Sequence, residues 1–180
     1  IKHLKDGLAS KRRIFHQAAA DLVIESMFLS NLNHPNIVKV RGWAAGGAAS
    51  FADDELCGYF VLMDKLDETL AQRMNKWQKE RHRRNNKLYH YAEKVAYAHQ
   101  IACALDFLHD QDIIFRDLKP DNIGFKGNTI QIFDFGLCRE LPEATTDEEK
   151  VFEMSGVGTR RYMAPEIILG TGYNLKIDVY

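Results

Sequence analysis

Ile114-Phe115-Arg116-Asp117-Leu118-Lys119-Pro120-Asp121-Asn122 is the stretch on which the reading of this chain turns, and Asp134-Phe135-Gly136 and then Ala164-Pro165-Glu166 follow it in order. Asp117 and Asn122 sit in one short loop. Asp134 comes 12 residues after Asn122, room for a hairpin that folds back onto the same site. Two carboxylates and a carboxamide then stand where a magnesium polyphosphate would lie among them. At about one in 20 per position for average amino-acid usage, so many fixed positions in this order do not arise by chance.

Upstream of that loop, Val95, Ala98, Ile101, Ala102, Leu105 and Leu108 recur at helical spacing and predict a core helix that delivers the chain to it. Cys103 lies on or beside its apolar face as a packing residue. His109 at its end is structural, since no other His or Cys stands at ligand spacing. Residues 73–94 carry many cations, among them Lys76, Lys79, Arg81, Arg83, Arg84 and Lys87, and few acids. They read as a solvated insertion, with a docking surface for acidic partners as the alternative.

Nearer the start, Ile1-Lys2-His3-Leu4-Lys5 alternates like a strand edge and breaks at Asp6-Gly7. A helical pattern follows over about residues 18–33, with Leu22, Leu29 and Leu32 on one face. Glu25 falls in that stripe. Taken alone it would sit at the stripe's margin and face water, but a carboxylate on a buried face needs a cation from elsewhere in the chain. His34-Pro35-Asn36 ends the helix, because proline disfavours helical geometry in the residue before it. A strand is predicted at 37–40, a Gly/Ala/Ser-rich turn at 44–50 and a buried strand at 59–63, which Asp64-Lys65-Leu66 leaves.

The chain has 180 residues, 46% of them hydrophobic, and suits one domain or a two-lobed one with a sizeable core. A formal net charge of −1 gives no reason to expect nucleic acid or a membrane surface as the main partner. Cys57, Cys103 and Cys138 are far apart and form no C-x-x-C pair, so neither a disulfide framework nor a zinc site is indicated. With no apolar run of 18 residues and no leader pattern, neither a membrane segment nor a signal peptide is visible, and an intracellular, reducing location is expected.

The loop, the Asp134 motif and the Ala164 motif together resemble the eukaryotic protein kinase family of serine/threonine type, and the resemblance runs from Ile1 to Tyr180. It implies an α+β, two-lobed protein kinase-like fold truncated at both ends. A small β-rich lobe with one helix would occupy residues 1–63, and a hinge with a larger, mainly helical lobe residues 64–180. It implies ATP and Mg2+, a protein substrate with a Ser/Thr acceptor, and transfer of the γ-phosphoryl group. Asp117 matches the catalytic aspartate that takes the hydroxyl proton, and Lys119 the cation that neutralises charge on the transferred group. Lys2, oriented by Glu25, would hold the α and β phosphates. Asn122 and Asp134 offer the hard oxygens that magnesium prefers. Met63 resembles the residue behind the nucleotide, and Asp64 and Leu66 belong to the hinge beside adenine.

The Lys119-Pro120 pair and Gly158-Thr159 resemble the serine/threonine pattern, in which the threonine bridges to the aspartate and lysine. Residues 137–160 would be the activation segment. Thr145, Thr146 and Ser155 are its acceptors for phosphate from an upstream kinase or autophosphorylation, and only Ser155 stands at the family's main regulatory position. Arg116 resembles the cation that receives that phosphate.

The chain departs from the family at several places. Phe115 replaces the usual histidine, which removes a hydrogen bond near Asp134 and leaves an aromatic to stack with Phe135 and Leu29. Gly124 stands where a bulkier apolar residue usually lies under adenine, so a more open pocket floor is expected. No G-x-G-x-x-G precedes Lys2, the chain stops at Asp178-Val179-Tyr180, and the arginine that pairs with Glu166 is missing. Residues 1–180 alone are expected to be inactive and aggregation-prone, with an apolar patch exposed in the C-terminal half. A pseudokinase or scaffold is the rival reading. A small-molecule kinase is a third, against which the Ala164-Pro165-Glu166 segment speaks.

Overall fold

The computed structural model describes residues 1–4, 12–47, 49, 58–80, 87–142 and 149–180. Lys5, Asp6-Gly7, Ser50, Cys57, Arg81, Arg83, Arg84, Thr145 and Thr146 lie outside the described residues. The fold is α+β, with small antiparallel sheets and helices. The chain divides into two compact units.

The first unit comprises Ile1–Asn33, Val38–Lys65 and Asp134–Gly136. Strands β1 (Lys2–His3), β2 (Val40–Trp43) and β3 (Phe60–Met63) form an antiparallel sheet in the order β1-β3-β2. Helix α1 (Arg12–Asn31) turns Leu22, Glu25, Ser26 and Leu29 inward. Leu22 packs with Ala44, Tyr59 and Val61. Each such large side chain taken from water contributes about 1.5–3 kcal/mol. Tyr59 Oη donates to Ser26 Oγ at 2.5 Å and ties the helix to the sheet.

Helix α1 begins at Arg12, earlier than the expected residue 18. Its first turns carry Arg13, His16 and Gln17, all exposed, and an Ile14 that is exposed as well, so no apolar period marks them in the sequence. It ends at Asn31, before His34 is reached. There Ser30 Oγ and Asn31 Nδ2 both donate to the Met27 carbonyl at 2.9 Å, and such side-chain bonds compete with the helical ladder. The strand expected at 37–40 is also displaced. Ile37 makes only an isolated parallel bridge to Ile132, and β2 starts at Val40.

The second unit comprises His34–Ile37, Leu66–Phe133 and Leu137–Tyr180. It contains β4 (Glu68–Thr69), α2 (Leu70–Glu80), α3 (Lys87–His109), β5 (Ile113–Ile114), β6 (Ile123–Lys126), β7 (Thr129–Ile132), β8 (Arg139–Glu140) and α4 (Pro165–Leu169). Strands β4, β6 and β7 form one sheet, and β5 pairs with β8. One core gathers Tyr97, Ile123, Phe125 and Ile130; another gathers Ile114, Phe152, Ala164, Ile167 and Tyr173.

The predicted stripe on α3 is corrected by rotation. Tyr97, Ala104, Leu105 and Leu108 are buried with Ile101 half-buried, whereas Val95, Ala98 and Ala102 are exposed. Tyr97 decides the face. Its ring stands edge-on to Phe125 at 5.0 Å, a larger apolar contact than Val95 or Ala98 could make. Gln100 shares the inward side, because its Oε1 accepts from Ile130 N at 2.8 Å and Asn36 Nδ2 at 3.0 Å.

The described part of the cation-rich stretch is helical, and α2 buries none of its residues. Helix α2 and the start of α3 occupy its described part, and Arg73 is fixed between Glu68, at 2.6 Å, and the Phe125 ring, 4.2 Å from its centroid. Among the described residues no helix is long and apolar enough to cross a membrane. In the C-terminal half Val95, Val151, Ile168, Leu169, Val179 and Tyr180 are exposed.

Candidate active site

In the first unit β1 and α1 bring Lys2 and Glu25 together, with Nζ 2.5 Å from Glu25 Oε2. The buried carboxylate of the helical stripe thus has its cation. Lys2 Nζ also donates to Asp134 Oδ1 at 2.7 Å. All three residues line one cavity of about 200 Å³. The Glu25 side chain is 2% exposed and that of Lys2 36%. Burial pushes the Glu25 carboxyl above the ordinary range, and the single Lys2 ammonium opposes without cancelling it. Burial alone would push Lys2 down, but the carboxylates of Glu25 and Asp134 together outweigh it and hold the ammonium above its usual value.

Met63 closes β3 half-buried against that unit's core. The Asp64 carboxylate is held by Arg41, with Nε at 2.5 Å and Nη2 at 2.9 Å, and its backbone N–H donates to the Lys39 carbonyl.

In the second unit the loop after β5 converges on Asp117, which is 8% exposed. Asp117 Oδ2 accepts from Lys119 Nζ at 2.6 Å and Asn122 Nδ2 at 3.0 Å; Oδ1 accepts from the Thr159 backbone N–H at 2.8 Å. Lys119 Nζ also donates to Thr159 Oγ1 at 2.7 Å, so the threonine hydroxyl meets the lysine while its backbone meets the aspartate. An ionised carboxylate offers about four lone-pair sites. Among the described residues one therefore stays open on Asp117 for a further donor.

The loop is shaped by Asp178 and Tyr173, to which the sequence gives no role, together with Arg116 and Gly158. Arg116 has a left-handed backbone, φ 70°, in which a non-glycine residue is strained. Asp178, 3% exposed, accepts the N–H of Phe115 at 2.7 Å and of Arg116 at 2.8 Å, and His109 Nε2 lies 3.0 Å away. Gly158, φ 119°, lies so close to the Arg116 carbonyl that a Cβ there would come within 2.6 Å of it. A glycine is needed for Thr159 to reach Asp117. Tyr173 Oη donates to the Ser155 carbonyl at 2.7 Å. The only sequence signal for Asp178 was a lone carboxylate between Ile177 and Val179.

Arg116 Nε donates to the Leu137 carbonyl at 2.6 Å, and Nη1 lies 3.5 Å from Ser155 Oγ and 3.3 Å from Tyr173 Oη. Phe115 is fully buried, and its carbonyl accepts from Cys138 Sγ at 3.6 Å. The open floor expected at Gly124 is not present. A Cβ at Gly124 would overlap Leu66 Cδ1, so Leu66 already fills that space.

Among the described residues no group of three or more His, Cys, Asp or Glu side chains could hold a metal ion. Magnesium does not need one, since it is commonly held by one or two carboxylates together with substrate phosphates. The Asn122 Nδ2 is committed to Asp117, which leaves its Oδ1 as the oxygen it can offer. The Asp134 carboxylate, 43% exposed, is the other hard donor. The donor chemistry fits magnesium.

The protein kinase domain family matches residues 2–180. The serine/threonine-protein kinase sgk-1 of Caenorhabditis elegans is 32% identical over 176 residues, which is 97% of this chain and 32% of that protein. The Aurora kinase of Eremothecium gossypii is 33% identical over 191 residues, 100% of this chain and 45% of that protein. The stress-activated protein kinase jnk-1 of Caenorhabditis elegans is 34% identical over 159 residues, 87% of this chain and 30% of that protein. The chain spans about a third to a half of the length of these curated relatives.

Proposed function

The chain belongs to the protein kinase domain family, and from that premise we propose that the protein transfers the γ-phosphoryl group of ATP to serine or threonine hydroxyls of other proteins. The observation that carries the proposal is the open acceptor site on Asp117, whose other bonds to Lys119, Asn122 and Thr159 fix the carboxylate in place.

Asp117 orients the acceptor hydroxyl and takes its proton as the oxygen bonds to the γ-phosphorus. The bond to the bridging oxygen breaks, and its electron pair leaves with ADP. Lys119, already anchored by Thr159, offsets the charge that builds on the transferred group. Lys2, oriented by Glu25, binds the α and β phosphates. Asn122, through its Oδ1, and Asp134 are the residues that would hold magnesium, which would supply neutralisation of the phosphate charge.

Residues 1–63 correspond in this reading to a small lobe and 64–180 to a hinge and large lobe. Met63, Asp64 and Leu66 border the base. Gly124 admits Leu66 as the apolar surface beneath it, in place of a side chain of its own. Phosphate on Ser155, from an upstream kinase or autophosphorylation, would draw in Arg116, whose Nη1 is 3.5 Å from the hydroxyl.

In the full-length protein, Asp117→Asn should abolish phosphate transfer to a serine/threonine peptide while magnesium ATP still binds. Undiminished turnover would remove Asp117 from this role. A wild type that binds nucleotide and transfers nothing would make the protein a pseudokinase or scaffold.

A further inference from the structure

A cavity of about 280 Å³ in the second unit is lined by Asp117, Lys119, Thr159, Arg161 and Asp178 among others, and its charge is unbalanced. Both carboxylates already have partners, Asp117 keeping one acceptor site. Asp178 is buried with two backbone N–H groups and His109. Asp117 is bound by Lys119, Asn122 and the Thr159 N–H. The arginines differ: among the described residues neither Arg160 nor Arg161 forms an ion pair, and both are exposed. Among the described residues Arg161 has the Tyr162 ring, 5.8 Å from its guanidinium carbon to the ring centroid. A guanidinium stays charged at any working pH and matches carboxylates and phosphates in two-pronged geometry.

Position turns this charge into a recognition element. Arg161 follows Thr159 by two residues in the 3₁₀ turn Arg160–Tyr162, and the Thr159 N–H is bonded to Asp117 itself. An extended peptide advances about 3.3 Å per residue, so a segment whose hydroxyl sits at Asp117 presents its nearest neighbours to this edge of the cavity. We infer that the acceptor segment carries an anionic side chain, carboxylate or phosphate, within about two positions of the hydroxyl that is phosphorylated, and that Arg161 selects it. Arg160 adds to the local field. The inference rests on the assignment of Asp117 proposed above and names the substrate class that site takes.

The test uses the full-length protein and a set of serine peptides of otherwise neutral sequence. Glu, phosphoserine, Gln or Lys is placed in turn at each position flanking the acceptor. At the selected position kcat/KM for Glu over Gln should be about three- to tenfold, the range of a partly exposed, focused ion pair, with Lys below Gln. Arg161→Ala should bring the Glu to Gln ratio near one, and Arg161→Glu should invert it so that Lys is preferred. Phosphoserine well above Glu identifies a phosphorylated occupant, and equality identifies a carboxylate. A wild-type ratio near one at every position, or a ratio unchanged in Arg161→Glu, overturns the inference. If no peptide receives phosphate, the kinase reading fails and anisotropy of the labelled peptides decides the matter. Tighter binding of the Glu peptide that Arg161→Glu reverses sustains the charge selection; equal binding of the Glu and Lys peptides ends it.

Discussion

Asp178 holds Arg116 in a left-handed backbone conformation: the Arg116 N–H donates to Asp178 Oδ1 at 2.8 Å while φ is 70°. A strained residue of this kind persists only where its surroundings over-determine it. Here the same carboxylate also takes the Phe115 N–H, and the Gly158 backbone closes against the Arg116 carbonyl. The turn these contacts impose is what aims Asp117, one residue later, at Lys119 and Thr159.

Asp178→Ala should therefore damage both stability and phosphotransfer. It strands the Phe115 and Arg116 N–H groups, and each unsatisfied buried donor costs about 1–3 kcal/mol. We expect a loss of about 3 kcal/mol in urea unfolding, against the 5–15 kcal/mol typical of a domain, and peptide phosphorylation reduced at least about tenfold, which 1.4 kcal/mol of lost alignment at Asp117 suffices to produce. Asp121→Ala, an exposed change in the same loop, should stay within about 0.5 kcal/mol of wild type in the same unfolding measurement. Equal behaviour of the two variants would show that Asp178 does not hold the loop.

Glu25 gives a prediction in pH. Its folded pKa is raised above the unfolded value of about 4.3, so the folded state keeps a proton that the unfolded state releases. That contribution to stability is present in full below the unfolded pKa and is lost as pH rises through the folded one. The Glu25→Gln variant lacks the dependence. In denaturant unfolding, the stability difference should move in favour of that variant as pH rises from about 4 through the folded pKa. Removing the carboxylate does not leave Lys2 stranded, because Asp134 remains 2.7 Å from its ammonium and the side chain is 36% exposed. Phosphotransfer by Glu25→Gln should nonetheless fall. A stability difference that does not change with pH would mean that Glu25 is ionised as easily as in the unfolded chain.

The Asp117 loop was legible because its interacting groups are close in sequence; Lys119, Asn122 and Asp117 bond within five positions of one another. Glu25 was legible for a different reason, as a misfit in an apolar stripe that demanded a cation. Asp178 was not, because its bond to Arg116 spans 62 positions and no local period announces it. The face of α3 was misjudged where apolar periodicity competes with a single large ring, since Val95 and Ala98 fit the period but Tyr97 finds Phe125 and Trp77. The start of α1 was missed where the helix is exposed and its sequence carries no stripe.

Leu66 and Gly124 were each visible, but their relation was not, since it depends on where a side chain from the segment before β4 comes to rest. Gly124 lies in β6, and Cβ, Cγ and Cδ1 of Leu66 would all fall within 3.2 Å of a Cβ built there. Gly124→Ala therefore overpacks the site and should cost about 1–3 kcal/mol. Leu66→Ala opens the same space and should be destabilising alone. Combined, the two changes relieve each other, so the double variant should be more stable than the sum of the singles predicts by about 1 kcal/mol or more, the signature of residues in contact. Denaturant unfolding of the four proteins completes the cycle, and the KM for ATP measured on the same set shows whether the contact also borders the base. Strict additivity in stability would mean that Leu66 does not occupy the place over Gly124 in solution.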